Sequence, residues 1–465
     1  MAYKDLREFI ARLEEEDEVL HISDEVLPEP DVGAMARATC DLEGPALICE
    51  RIRGYQIPLA ICLHGSYRRV ALSLELPKQT PLKQVFEEFC RRWDRYPVEP
   101  VTVNNAPCKQ VKLLGRDADL TRLPIVRWNL VDGGPFIDKS AAISRDPETG
   151  ILNFGEYRMQ LKGPRTLNIT TTAVHDIGVH FHKSRKMGKP LEVAVAIGLD
   201  PAVMLASVCP LPPNWDEFKF AGALRGEPLE IVMAETVDLP VPASAEIVIE
   251  GEILPDVVSN EGPFGEYTGY YSTLMANAEI HVKAITHRFN PIMEGLYIGV
   301  PMTESDWISH IPNSASVYKE VKPLVPEIEA FNLASTWCQV GVASMRKLFG
   351  GQERKLMNAI WATPLGCNTK VLMVVDADID PFNMDKVLWA MSTRFQPDTD
   401  IVLIGNTMGQ RLDPSSLVKG LGAKVGLDLT WPMAPSPVPE AIGVVKPRPE
   451  TEEWRERIMR MWERG

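Results

Sequence analysis

The spacing of hydrophobic positions changes twice along the chain. Over residues 4–16, Leu6, Phe9, Ile10 and Leu13 recur at three and four among charged neighbours, which predicts an amphipathic helix. Further helices are predicted over 31–41 and 81–93, the latter from Leu82, Val85, Phe86, Phe89 and Cys90. Apolar runs at 46–48, 58–62 and 69–73 read as strands between them. The stretch up to about 108 is thus a small α/β region, closed by Pro-rich segments at 96–100 and 104–107. Strand-like runs then dominate, at 111–114, 140–144, 158–161, 167–172, 191–197, 230–234, 245–249 and 278–285. Helices over 175–186, 200–207 and 216–225 interrupt them, and the centre reads as β-rich and barrel-like. The last third returns to α/β: a strand over 370–376, a helix over 385–394 and a strand over 400–404 read as a βαβ unit. A charged amphipathic helix over 449–463 presents Trp454, Ile458, Met459 and Trp462, a face suited to a second subunit.

Composition narrows the class. The 465 residues exceed one core and predict two or three domains, and 45% hydrophobic with 24% charged residues is ordinary for a soluble enzyme. A net charge of −14 argues against a nucleic-acid or anionic-membrane partner, while a local basic cluster can still hold a small anion. No apolar run approaches the ~18 residues that span a bilayer. The eight cysteines form no CxxC and no metal-ligand spacing, and with no signal peptide they predict a reducing cytoplasm.

Candidate chemistry centres on Glu261-Gly-Pro-Phe-Gly-Glu266 and the tyrosines that follow. Two glycines and a proline exclude an ordinary helix or strand between the acids. Two acids in a loop are most often surface residues. Here Pro263, Phe264, Tyr267, Tyr270 and Tyr271 favour a desolvated carboxyl that keeps its proton, as a general acid must. Upstream, period-two alternation places Arg158 on one strand face with Glu156 and Gln160. That arginine either pairs structurally with an acid or grips a substrate carboxylate with its fork. His175, His180 and His182 lack the spacing of a zinc site, and His180 and His182 read as solvated helix-start residues. One histidine joined by an asparagine and a glutamate from elsewhere would suit a harder divalent ion with phosphate as co-ligand. The segment 205–212 reads as a loop whose backbone groups can face a cation or a phosphate. Two motifs fail. Asp376, Asp378 and Asp380 resemble an EF-hand start, but Pro381 and Val387 replace its glycine and closing glutamate, leaving a strand end and helix cap. The glycines around Lys424 do not form a Walker A pattern, although a phosphate-facing loop is compatible with them.

In this order, the segment Asn153 to Arg158, His175, the Ala206-Ser207 loop with Glu217, the two-acid loop, and the stretches 241–251 and 420–428 resemble the UbiD family. These are reversible decarboxylases that use prenylated FMN. The resemblance implies an α+β fold with a central FMN-binding split β-barrel over 109–310. An N-terminal α/β region over 1–108 and a C-terminal α/β dimerisation domain over 311–465, ending in the terminal helix, would flank it. It places catalysis on Arg158, Glu261 and Glu266, with Arg158 and Glu261 orienting the carboxylate and Glu266 returning the proton. A divalent ion, usually manganese, would bridge Asn153, His175 and Glu217 to the cofactor phosphate. A potassium ion would lie near Ala206, Ser207 and Cys209, mostly on carbonyls; Cys209 stands where the family often has methionine. Cofactor contacts also fall on Phe154, Tyr157 and Pro210, and a phosphate-binding lysine on Lys419 or Lys424. Trp307 and His310 either face the substrate or belong to a helix start capped by Asp306 or Ser305. The implied reaction is decarboxylation of an aromatic or heteroaromatic acid by a homodimer, with a flavin prenyltransferase supplying the cofactor. A cinnamic-type substrate, or a non-catalytic cofactor-binding subunit, is the alternative.

Overall fold

The computed structural model describes residues 2–172, 175–335, 339–432, 445 and 447–462, so Cys338 and residue 463 of the predicted terminal helix lie outside the described residues. The chain divides into a large unit, Met1–Thr430, and a small one, Trp431–Gly465.

Helices at the start of the large unit follow the apolar spacing closely. Leu6–Glu15 buries Leu6, Phe9, Ile10 and Leu13 and is capped by Asp5, which accepts from the Glu8 amide. Asp31–Asp41 and Leu82–Trp93 follow. The predicted strand at 69–73 is instead a helix, Tyr67–Ser73, started by the Ser66 side chain accepting from the Arg69 amide. A run of three apolar residues, Val70, Ala71 and Leu72, is too short for its period to be read, and the cap decides. Three short strands, Val19–Ile22, Ala46–Cys49 and Leu59–Ile61, form a sheet completed by Met293–Gly295 from far along the chain.

The centre is a nine-stranded sheet. Its order is Phe136–Ile137, Met159–Gly163, Thr166–Ile169, Met275–His287, Ile247–Glu261, Leu191–Ile197, Ala141–Arg145 and Leu152–Gly155, with Val111–Leu114 beside Met275–His287. No ladder joins its two end strands among the described residues. The long antiparallel hairpin Ile247–Glu261 and Met275–His287 runs further than its apolar core predicts, pairing Glu261 with Met275 at its far end. It therefore carries the two-acid loop at its tip. Alternation fails for Arg158. Residues 156–158 lie between the strands Leu152–Gly155 and Met159–Gly163 rather than within one, so Arg158 and Glu156 do not share a strand face.

A third sheet orders Ile328–Ser335, Val340–Met345, Val371–Asp376, Leu421–Leu429 and Ile401–Met408. The predicted βαβ unit is not formed. Leu421–Leu429 inserts between the two strands, parallel to Val371–Asp376 and antiparallel to Ile401–Met408, so the helix Met384–Arg394 joins antiparallel, non-adjacent strands. The aspartates before that helix do end a strand, but Asp376 and Asp378 bind Arg394, and Asn383 is the cap. In the small unit, the helix Thr451–Trp462 leaves Trp454, Ile458, Met459 and Trp462 exposed. No helix among the described residues is long and apolar enough to cross a membrane.

Candidate active site

The tip of the long hairpin is held open by backbone chemistry. Gly262 sits at φ +92°, a left-handed conformation that favours glycine, and the bond to Pro263 is cis. The Gly262 amide donates to Gln160 Oε1 (3.1 Å), and the Gly133 amide donates to the Pro263 carbonyl (2.7 Å). The Gly265 amide donates to Asp132 Oδ1 (2.8 Å), while Phe264 and Ser272 exchange two further bonds. A segment with few side-chain options is thereby fixed from both sides.

This frame turns both acids inward. Glu261 is 1% and Glu266 5% exposed. Arg158 meets them from the opposing strand end. Its Nε donates to Glu261 Oε1 (2.9 Å), Nη2 to Glu261 Oε2 (3.2 Å), and Nη1 to Glu266 Oε1. The guanidinium lies over the Phe264 ring at 4.6 Å. Burial opposes the charge of Arg158, but Glu266 and Glu261 outweigh it and hold the arginine protonated above its usual range. Burial raises the Glu266 carboxyl above the ordinary carboxylate range; Arg158 pulls it back and Glu261 adds to the rise. One cation and two buried carboxylates with unequal environments can orient an anion and hold a proton.

A second cluster forms around Asn153, which is buried. Its Nδ2 donates to Glu217 Oε1 (3.4 Å), the Phe154 amide donates to Glu217 Oε2 (3.2 Å), and Tyr157 Oη donates to Asn153 Oδ1 (3.0 Å). His175 caps the helix Asp176–Lys186 and meets the Tyr157 ring edge-on at 5.9 Å. Burial pushes Glu217 up to about 8, and none of the largest influences on it is a cationic side chain of the described residues. A buried carboxylate beside an amide oxygen and a histidine is a donor set that fits a hard divalent ion. Only two of the three are His, Cys, Asp or Glu, and among the described residues no group of three such side chains is placed to hold a metal ion. Phe154 itself points into the core, stacked on Phe218 at 4.9 Å.

The segment 205–210 ends the helix Pro201–Ser207 rather than forming a free loop. The Ala206 carbonyl accepts from the Val208 and Cys209 amides, and the Ser207 carbonyl from the Glu156 amide (3.1 Å), the latter keeping a second lone pair. Cys209 is buried, with its thiol against the Pro312 carbonyl at 3.6 Å, and Pro210 follows at partial exposure. The two lysines part company. Lys424, within the strand Leu421–Leu429, donates to the carbonyls of Cys367 and Thr369. Lys419 is exposed and reaches Thr273 Oγ1 (3.5 Å), just beyond the two-acid loop.

Trp307 is buried in the helix Glu304–Val321, which starts from a Thr303–Asp306 capping box. His310 has both ring nitrogens engaged, Nδ1 by Tyr67 Oη (2.6 Å) and Nε2 by Asn332 Oδ1, and burial lowers it to about 4. His180 is not solvated: it is buried, with Nδ1 2.9 Å from Ser144 Oγ. Sequence reasoning missed a buried cluster in which Lys139 meets Glu294 (2.8 Å), Glu304 and His64 Nδ1 (3.0 Å). It also missed Asn277, whose Nδ2 donates to Glu261 Oε2 (3.1 Å). The Asp138-Lys139 pair beside an apolar run was the available signal for the first; an isolated strand asparagine gave none for the second.

Three family models match successive parts of the chain. They describe the N-terminal, Rift-related and C-terminal domains of 3-octaprenyl-4-hydroxybenzoate carboxy-lyase, over residues 10–89, 99–301 and 306–429. The chain belongs to the UbiD family. Among its UbiD relatives, the phenolic acid decarboxylase of Sedimentibacter hydroxybenzoicus is 40% identical over 468 residues, covering 98% of this chain and 97% of that one. The structure of the vanillic acid decarboxylase of the same organism, in open form, superposes with a TM-score of 0.93 at 39% identity over 100% of both chains. An evolved dimeric form of the UbiD-class enzyme HmfF from Pelotomaculum thermopropionicum, in complex with prFMN, gives 0.83 at 31% identity, covering 97% of this chain and 98% of that one. The mixed α/β architecture is thus that of UbiD-class carboxy-lyases.

Proposed function

We propose that this UbiD carboxy-lyase removes CO2 from a phenolic or related aromatic carboxylate with prenylated FMN as cofactor. The observation that carries the reading is the Arg158 fork held on Glu261 while also touching Glu266, whose carboxyl is raised by burial. The cofactor, when bound, supplies the electron sink that loss of CO2 from an sp2 carbon requires. Arg158, steadied by Glu261, orients the substrate carboxylate. Glu266 holds the proton that replaces CO2 on the vacated carbon. Asn153, His175 and Glu217 would hold a divalent ion, manganese or similar, against the cofactor phosphate. The Ala206, Ser207 and Cys209 carbonyls would hold potassium. Lys419 is the phosphate-binding lysine in this reading, because Lys424 is engaged with two carbonyls of its own sheet region.

The same reading has the nine-stranded sheet curl as a split barrel around the flavin, over 109–310. Residues 1–108 flank it, and 311–465 pair two copies in the cytoplasm; a flavin prenyltransferase supplies the cofactor. The test is Glu266→Gln in protein made with that prenyltransferase. Release of CO2 from 4-hydroxybenzoate or vanillate should be lost while the flavin absorbance stays, and an undiminished rate removes Glu266 as donor.

A further inference from the structure

Among the donors that hold the two acids, one has no charge. Asn277 stands on Met275–His287 opposite Ser259, a diagonal step from Glu261 on the same face of the hairpin. It is 5% exposed. Its Nδ2 donates to Glu261 Oε2 (3.1 Å) and to Thr170 Oγ1 (3.4 Å). Its backbone is fixed in turn. Asn168 Nδ2 donates to the carbonyls of Asn277 (3.1 Å) and Ser259 (3.0 Å), tying both hairpin strands to Thr166–Ile169.

Glu261 therefore has three donors over two oxygens: Arg158 Nε on Oε1, and Arg158 Nη2 with Asn277 Nδ2 on Oε2. Glu266 receives only Arg158 Nη1 from a side chain among the described residues. The two acids are chemically alike and mechanically different.

We infer that Asn277 is a positioning residue that locks Glu261 onto the Arg158 fork, so that Glu266 is the acid that yields to an entering carboxylate. The second half rests on the decarboxylase reading above. The charged groups facing position 277 are Glu261 and, behind it, Arg158. An aspartate there sets a carboxylate against Glu261 when ionised, and replaces the lost donor with its own O–H when protonated.

Two arms test this with Asn277→Leu and Asn277→Asp, alanine standing in should leucine fail to fold. In cofactor-free protein, the melting temperature of N277D relative to N277L should fall between pH 5 and pH 8, because the raised Asp pKa gives stability that is lost as pH rises. A constant difference overturns the contact. In holoenzyme turning over 4-hydroxybenzoate or vanillate, N277L should lose about 10- to 100-fold in kcat, as expected for one hydrogen bond to a charged group. N277D should regain activity relative to N277L as pH falls, and parallel pH profiles overturn the positioning role. Wild-type protein that releases no CO2 refutes the decarboxylase reading, while the melting arm still decides whether Asn277 holds Glu261.

Discussion

Glu266 is pulled two ways: burial favours its neutral form and Arg158 its charged one, and burial wins. The consequence for stability has a definite sign. A carboxyl whose folded pKa lies above its unfolded value stabilises the fold fully at acid pH, and that contribution is lost as pH rises through the folded pKa. Glu266→Gln should therefore melt higher relative to wild type as pH rises out of the ordinary carboxylate range, readable by thermal denaturation without cofactor. The opposite slope would mean that the arginine contact dominates.

The hairpin tip converts these residue properties into geometry. Gly133 packs so closely on the loop that a Cβ there would collide with the Gly262 carbonyl. Gly133→Ala should cost about 1–3 kcal/mol in denaturant unfolding and depress turnover, because the displaced backbone carries Glu261 and Glu266. Elements such as Leu6–Glu15 were legible in the sequence because their apolar spacing reports contacts along one face of one helix. The loop was legible for a similar reason, since Pro263 fixes its own φ and the glycines at 262 and 265 disfavour regular helix or strand locally. The misread helix at 69–73 turned on the Ser66 cap, and the misread βαβ unit on a strand arriving some twenty residues later. Arg158 was recognisable as needing a partner, but its break from strand geometry was not. Asn277 gave no local signal, because its role is defined by Glu261 across the hairpin.

At the scale of the molecule, Lys139 binds distant parts of the chain together. It is fully buried between Glu294 of the first sheet and Glu304 at the start of the Glu304–Val321 helix. Glu304 also accepts from the amides of Cys62 (3.0 Å) and His64 (2.7 Å). Burial opposes the lysine's charge, but Glu294 and Glu304 outweigh it and raise its pKa. Removing one partner of such a group leaves uncompensated buried charge. Lys139→Met should cost about 3–5 kcal/mol in unfolding experiments, and less at acid pH, where the carboxylates take up protons. No sequence period could have announced this, since its members are joined only by the fold.

The Arg158 fork has a thermodynamic corollary. A recess holding one guanidinium and two carboxylates has no spare positive charge for a third anion. An arriving carboxylate must therefore bring a proton with it, or draw one from solvent onto the acid it displaces. Capture of the anion and uptake of H+ become a single linked event, and apparent affinity should weaken about tenfold per pH unit once the displaced acid no longer protonates freely. In the proposed reaction, the proton would then be aboard before any bond to carbon breaks.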